Sequence, residues 1–292
     1  MGAPKCGTTT MDELLRQHPE IYIPEKKEIH FFGTDLTFTD KRFTRISEKY
    51  NSWFSKIKNE KRVGASSVWY LFSKLAAREI KNYCQTASII IMLRNPVDML
   101  YSLHSQFLFD CNEEITDFEM ALKAEDQRKK GKLIPRIANP VEGLFYRETV
   151  KFSEQISRYF ETFGRENVHI IILDDFKNNT PGIYKETIEF LKVNNSFQPD
   201  FKVLNPNKYA RNIALQKFIR HPPWPYKRFE KASLPIKFRT KMKETLEKAN
   251  TLYKPRSPME QKLKESLQNE FKPEVEQLSE LLGRDLSHWC KV

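Results

Sequence analysis

The sequence predicts an α/β protein, one domain with a central, mostly parallel sheet of about five strands flanked by helices. Three observations carry that reading. Ser88-Ile-Ile-Ile-Met-Leu93 and Val168-His-Ile-Ile-Ile-Leu173 are apolar runs of strand length, the pattern of strands buried on both faces. The loop at residues 2–10 runs straight into an amphipathic stretch, Met11-Asp-Glu-Leu-Leu-Arg-Gln17, as an anion-binding loop opening a helix does. The chain has 292 residues, 39% hydrophobic and 12% aromatic, enough to bury a sizeable core as one domain.

The loop comes first. In Met-Gly-Ala-Pro-Lys-Cys-Gly-Thr-Thr-Thr, Gly2 and Gly7 allow a tight turn and a close backbone approach to a ligand. Thr8, Thr9 and Thr10 supply hydroxyls and amides at the positive end of the helix dipole, and Lys5 adds a full charge. The nucleotide-triphosphate version of this device, G-x-x-x-x-G-K-[ST], carries its lysine after the second glycine. Here Lys5 precedes Gly7, which argues against an ordinary ATPase. A phosphate loop of this kind normally follows a buried strand. Only Met1 stands before it, so the first central strand is expected to be missing or very short, truncated before residue 1.

The helix is expected to end before Pro19, with a short strand at Ile21–Ile23 and a new extended segment after Pro24. If residues 28–32 are extended, alternation puts Glu28 and His30 on one face and Ile29 and Phe31 on the other, so that two acid/base groups point the same way. Residues 40–60 are polar and aromatic, with no defensible chemistry. Arg62-Val-Gly-Ala-Ser-Ser67 reads as a short strand leaving the sheet at a serine pair, with Trp69 and Tyr70 as wall. The strand at 88–93 then ends in Arg94-Asn-Pro96, with Pro96 suited to the first position of the next helix and Ser102 eight residues after Arg94. An arginine at the carboxyl edge of a central parallel strand, with a hydroxyl on the following helix, suits a phosphate.

Together these motifs resemble sulfotransferases that use 3'-phosphoadenosine 5'-phosphosulfate (PAPS), with likeness to bacterial members and to the heparan-sulfate type. G-x-P-K-x-G-T-T resembles their 5'-phosphosulfate loop, K-E-x-H-F-F the segment with their catalytic glutamate, and L-R-N-P followed by Y-S their 3'-phosphate site. The resemblance reaches from the loop nearly to Leu281-Leu-Gly-Arg-Asp-Leu-Ser-His-Trp289, so residues 1–292 are expected to form one sulfotransferase domain. It implies Lys5, Glu28 and His30 as catalytic candidates, with Glu28 as general base. Lys5, Cys6, Gly7, Thr8, Thr9, Thr10, Arg94 and Ser102 would hold the donor, which leaves as PAP, and no metal is expected. The family often has an acid where Ala65 stands, a lysine (in heparan-type members) at Ser66 and an arginine at Met99; these roles are not carried over.

Residues 111–143 are charged and include Arg128-Lys-Lys-Gly-Lys132; they read as a lid or insertion over the acceptor site, with a solvated linker as the alternative. Helical periodicity marks 115–123, 145–163, 181–191 and 258–282, and Tyr146 is a candidate for acceptor contact. Residues 202–243 are strongly basic. Asn205–Asn212 lies where the family closes a basic loop over the 3'-phosphate, which nominates Lys208 and Arg211, and Pro222–Tyr226 would shape the acceptor rim.

A net charge of +11 calls for an anionic partner. No apolar run approaches the ~20 residues of a membrane span, and the four cysteines form no CxxC pair, so a soluble cytoplasmic protein is expected. The activity expected is sulfuryl transfer to a hydroxyl or amine of a soluble small molecule, such as a bacterial natural product, with a glycan as the second acceptor class. Neither a nucleic acid nor a membrane is expected as partner. A magnesium-dependent nucleotide kinase and a nucleic-acid-binding protein are the competing classes.

Overall fold

The computed structural model describes residues 2–39, 45–201, 208–222 and 235–291. Its centre is a parallel pair, β3 (Ile89–Leu93) on β4 (Val168–Ile172), in register from Ile89 opposite Val168 to Leu93 opposite Ile172. Ile91, Met92 and Leu93 are almost wholly buried, as a two-sided apolar run requires. Gly2 forms a parallel bridge to Met92, and the Ala3 amide donates to the Met92 carbonyl at 3.0 Å, so the start of the loop lies along the free edge of β3. A second parallel pair joins β1 (Ile21–Tyr22) and β2 (Arg62–Val63).

The α/β class and the parallel pairing agree with the sequence. The single sheet of about five strands does not: among the described residues each sheet is two-stranded. The edge of β3 away from β4 is taken by Gly2 and Ala3 rather than by a further strand. A pocket of about 850 Å³ there is lined by Ile89, Ile90 and Met92 and by Ile21, Ile23 and Val63, together with polar groups such as Asp12 and Ser66.

The helices used below are α1 (Thr8–Arg16), α2 (Pro96–Asp110), α3 (Phe152–Phe163), α4 (Thr180–Leu191), α5 (Ile213–Arg220), α6 (Ile236–Asn250) and α7 (Gln261–Leu282). Most bury one face, whereas α6 is largely exposed and, among its described residues, buries only the last, Asn250. Met11, Leu14 and Leu15 anchor α1; Met99, Leu100 and Leu103 anchor α2; Phe152, Ile156 and Tyr159 anchor α3. One contiguous apolar cluster runs from Ala3 to Trp289. Pro96 takes the first position of α2, and the Asn95 side chain caps it by accepting from the Val97 amide at 3.0 Å.

A third, antiparallel pair, β5 (Lys208–Ala210) with β6 (Thr251–Tyr253), lies on the C-terminal side. Lys208 is therefore in a strand, not in the loop expected for 205–212. Residues 205–207 of that loop, and 223–226 of the proline-rich stretch, lie outside the described residues.

Segment 111–143 is tied into the core. Arg128, at the head of its basic stretch, forms an ion pair with Glu113 at 2.7 Å in which neither side chain is exposed, and the Tyr146 hydroxyl donates to the other Glu113 oxygen at 2.9 Å. Tyr146 is 0% exposed. Its proposed contact with an acceptor is therefore a misreading: the hydroxyl satisfies a buried carboxylate that would otherwise lack part of its solvation.

Candidate active site

The loop between β3 and α1 is shaped by close packing. Gly7 is the N-cap of α1 at φ 83°, a conformation a side chain disfavours, and a Cβ there would meet Leu173 Cδ1 at 2.7 Å. A Cβ on Gly2 would meet the Met92 backbone at 2.7 Å. The glycines thus press the loop onto β3 and Leu173, and a glycine cap brings no side-chain acceptor to the first-turn amides of α1. Unpaired first-turn amides at the positive end of a helix dipole are groups that suit an anion. Cys6 contributes backbone only; its thiol is fully buried, and burial pushes its pKa up to about 12.

Lys5 adopts φ 64°, Glu28 φ 55° and His30 φ 53°. Among the described residues six non-glycines have positive φ, and these three candidates make up half of them. Such backbone strain persists only where the surroundings over-determine it, and it concentrates at functional sites. It also corrects the sequence reading, since residues 28–32 do not form an extended strand. Glu28 and His30 nevertheless meet, His30 Nε2 lying 3.7 Å from Glu28 Oε2.

The 62–70 segment, to which the sequence assigned no catalytic role, holds this dyad. The Glu28 amide donates to the Ser66 carbonyl at 3.0 Å, the His30 amide to the Ser67 hydroxyl at 3.3 Å, and the Val68 amide to Glu28 Oε2 at 3.0 Å. Burial raises the Glu28 pKa above its ordinary 4.5, against the opposing pull of the Lys27 ammonium and the Val68 amide. Burial also lowers His30 to about 3, helped by Lys26 and Arg45, so its imidazole is neutral at physiological pH. A carboxylate with raised proton affinity beside a neutral imidazole fits a general base and its neighbour.

Lys27 was missed as a site residue. Its ammonium donates to Thr8 Oγ1 at 3.1 Å and to Thr9 Oγ1 at 2.9 Å, joining the Glu28 segment to the mouth of the loop. Its position next to Glu28 in the sequence was the available signal.

A second cluster lies across the end of β3. Arg94 emerges where that strand ends, and its Nη1 donates to the Lys5 carbonyl at 3.5 Å. Ser102, 2% exposed on α2, accepts from Arg256 Nη2 at 2.9 Å. Arg256 lies over Tyr101 at 5.2 Å, and its pKa is lowered by burial and then by Arg94. Guanidiniums beside a hydroxyl are groups that suit a phosphate. Arg256 is the other residue that sequence reasoning missed; the available signal was the pair of basic residues in Lys254-Pro-Arg256. Lys208 joins the cluster electrostatically, being one of the cations that lower Lys5. Arg211 does not: it is exposed, and its amide donates to the Asn250 carbonyl at 2.8 Å.

Residues 1–279 match the sulfotransferase domain family. The chain belongs to that family. The chain is 25% identical over 275 residues to the membrane-associated sulfotransferase kil1 of Dictyostelium discoideum, a match covering 70% of this chain and 58% of that protein, so the likeness spans little more than half of the relative. Among solved structures, a sulfotransferase from Alicyclobacillus acidocaldarius superposes with a TM-score of 0.73 at 28% identity, covering 100% of this chain and 97% of that one. Among the described residues, no helix is long and apolar enough to cross a membrane.

Proposed function

We propose that this sulfotransferase takes its sulfuryl group from PAPS and passes it to a hydroxyl or amine of a soluble small molecule. The observation that carries the reading is a pair of unlike anion receptors that touch at Arg94: loop amides with Lys5 on one side, Arg94, Ser102 and Arg256 on the other. A ligand with a 5'-phosphosulfate and a 3'-phosphate has the two anionic ends such a pair requires. When bound, that donor supplies a sulfuryl group on a stable leaving group.

The chain's own residues do the rest. Lys5 and the first-turn amides stabilise the negative charge that builds on the leaving side, and the Lys27 ammonium sits beside them at Thr8 and Thr9. Glu28 accepts the proton of the acceptor hydroxyl or amine, and His30 packs beside it. Arg94, Ser102 and Arg256 hold and orient the far end. The convergence of Lys5, Arg94, Lys208 and Arg256 on one place supports a compact anionic ligand over a nucleic acid spread across the surface. We also place the reaction in a reducing cytoplasm, a reading supported by four free thiols.

A melting experiment tests the donor. PAP should raise Tm without added metal, by about 2.7 kcal/mol of stabilisation at a hundredfold excess over Kd. ADP, lacking the 3'-phosphate, should do so much less. Equal shifts would remove the role given to Arg94, Ser102 and Arg256, and a strict magnesium requirement would favour a kinase.

A further inference from the structure

Asp110 is a half-buried carboxylate at the end of α2 that the chemistry above leaves unused, and it stands one hydrogen-bonded residue away from Lys5. The Lys5 ammonium donates to Gln106 Oε1 at 2.9 Å, and Gln106 Nε2 donates to Asp110 Oδ2 at 2.7 Å. Gln106 and Asp110 are four residues apart on α2 and so share a face. The other carboxylate oxygen of Asp110 lies 3.3 Å from Arg220 Nη2 on α5, and that guanidinium reaches Glu247 on α6 at 2.6 Å. Two further bonds hold the same helices together: Gln216 Nε2 to the Phe109 carbonyl at 3.0 Å, and Asn250 Nδ2 to Gln216 Oε1 at 2.9 Å.

We infer that Gln106 and Asp110 are positioning residues for Lys5, fixing where its ammonium sits and tying the loop to the C-terminal helices. The inference rests on reading Lys5 as the donor-facing cation. The orientation of the Gln106 amide decides the point. An ionised carboxylate is acceptor-only, so Asp110 takes the NH2 group and leaves the amide oxygen turned toward Lys5. A lysine has a flexible four-carbon stem, and one well-placed acceptor removes much of the freedom its ammonium would otherwise have. Asp110 is also the negative charge opposing the cations around Lys5, which are Arg94 at the end of β3, Lys208 on β5 and Arg256 after β6. Burial is the first cause that lowers the Lys5 pKa, to about 8; Asp110 works against it, and the three cations add to it. A neutral Asp110 would leave Lys5 easier to deprotonate.

The test uses the full chain without ligand, labelled with ¹³C-lysine, and follows the Lys5 side-chain resonance, assigned by its loss in Lys5→Met, through a pH titration. In Asp110→Asn the midpoint should fall by about one unit, at the low end of what a single nearby charge does. Gln106→Asn, one methylene shorter, withdraws the carbonyl from Lys5 without leaving an apolar group against Asp110. It should lower kcat about tenfold while PAP affinity, read by its Tm shift, stays within about threefold, since a displaced catalytic group costs rate more than ground-state binding. An unchanged Lys5 midpoint in Asp110→Asn, or wild-type kcat in a folded Gln106→Asn, would overturn the inference. If Lys5→Met turned over normally, the catalytic reading of Lys5 would fall, while the titration would still report whether Asp110 acts on Lys5.

Discussion

The two proposed anion receptors are built by opposite means. At the loop, backbone would do the binding: Gly2 and Gly7 are pressed against β3 and Leu173, and the receptor fits within the ten residues that open α1. Across the end of β3, side chains do it: Arg94 and Ser102 come from one strand-helix unit, and Arg256 arrives from beyond β6. A backbone receptor is rigid and cannot be altered by one substitution without strain. A side-chain receptor can be dismantled one group at a time. We therefore expect the first to govern turnover and the second to govern donor affinity, and substitutions at each end can break that division.

The largest effects belong to the loop side. Glu28→Gln keeps the shape but removes the basicity, and general-base catalysis contributes roughly 10²- to 10⁴-fold. It should lose about that factor in kcat while PAP still raises Tm, and His30→Ala should lose less. A nearly normal Glu28→Gln beside a dead His30→Ala would exchange their roles. Lys5→Ala should lower kcat by about 10²- to 10³-fold, the loss typical of one preorganised donor to developing charge. If only its Michaelis constant changed, the loop would be an affinity device too, and the contrast would disappear.

Glu28 and Lys5 are expected to set the pH profile of kcat/KM, which reports the free enzyme. Glu28 must be ionised to accept a proton, so the rate rises with pH through its pKa, which burial holds above 4.5. Lys5 must be protonated to offset the charge on the leaving side, so the rate falls as pH rises through about 8. A bell results, and Glu28→Gln should flatten its acid limb only. His30, lowered to about 3, is neutral throughout and contributes no limb. An acid limb unchanged in Glu28→Gln would mean that another group is the base.

At the second receptor, Arg94→Ala and Arg256→Ala should each weaken PAP by about 10- to 100-fold, the range for a hydrogen bond to a charged group, with kcat altered only a few-fold. ADP binding should hardly respond. An equal loss for ADP would mean that the arginines touch something other than the 3'-phosphate.

How much of this was readable follows the same division. Motifs compressed into a few residues were legible: the loop, the strand at 89–93 with its Arg94, and Pro96 starting a helix. Contacts that depend on the folded chain were not. Arg256 meets Ser102 only because β6 brings it back over α2. Glu28 and His30 were paired for a reason that proved wrong, since alternation in a strand was expected and two left-handed residues held by the 66–68 backbone and Ser67 do the work. The five-stranded sheet failed because burial of apolar runs predicts strands but not which edges meet. Tyr146 failed because an aromatic hydroxyl looks alike in sequence whether it meets a ligand or a buried Glu113.

The smallest effects separate Lys208 from Arg211, which the sequence nominated together. Lys208 sits half-buried on β5 and acts on Lys5 through space, so Lys208→Ala should weaken PAP only several-fold, and less as salt rises, because a longer-range charge is screened over about 10 Å at 0.1 M. The same substitution removes a cation that lowers Lys5, so the alkaline limb should move slightly upward. Arg211 is exposed at the end of β5, where its contribution through the Asn250 carbonyl is made by backbone and survives substitution. Arg211→Ala should leave PAP binding within about twofold, as expected for a solvated surface charge. Titrating PAP against both variants at low and high salt reads the difference. If Arg211→Ala lost more affinity than Lys208→Ala, the second receptor would extend along the outer face of β5, and the group of Arg94, Ser102 and Arg256 would be only part of it.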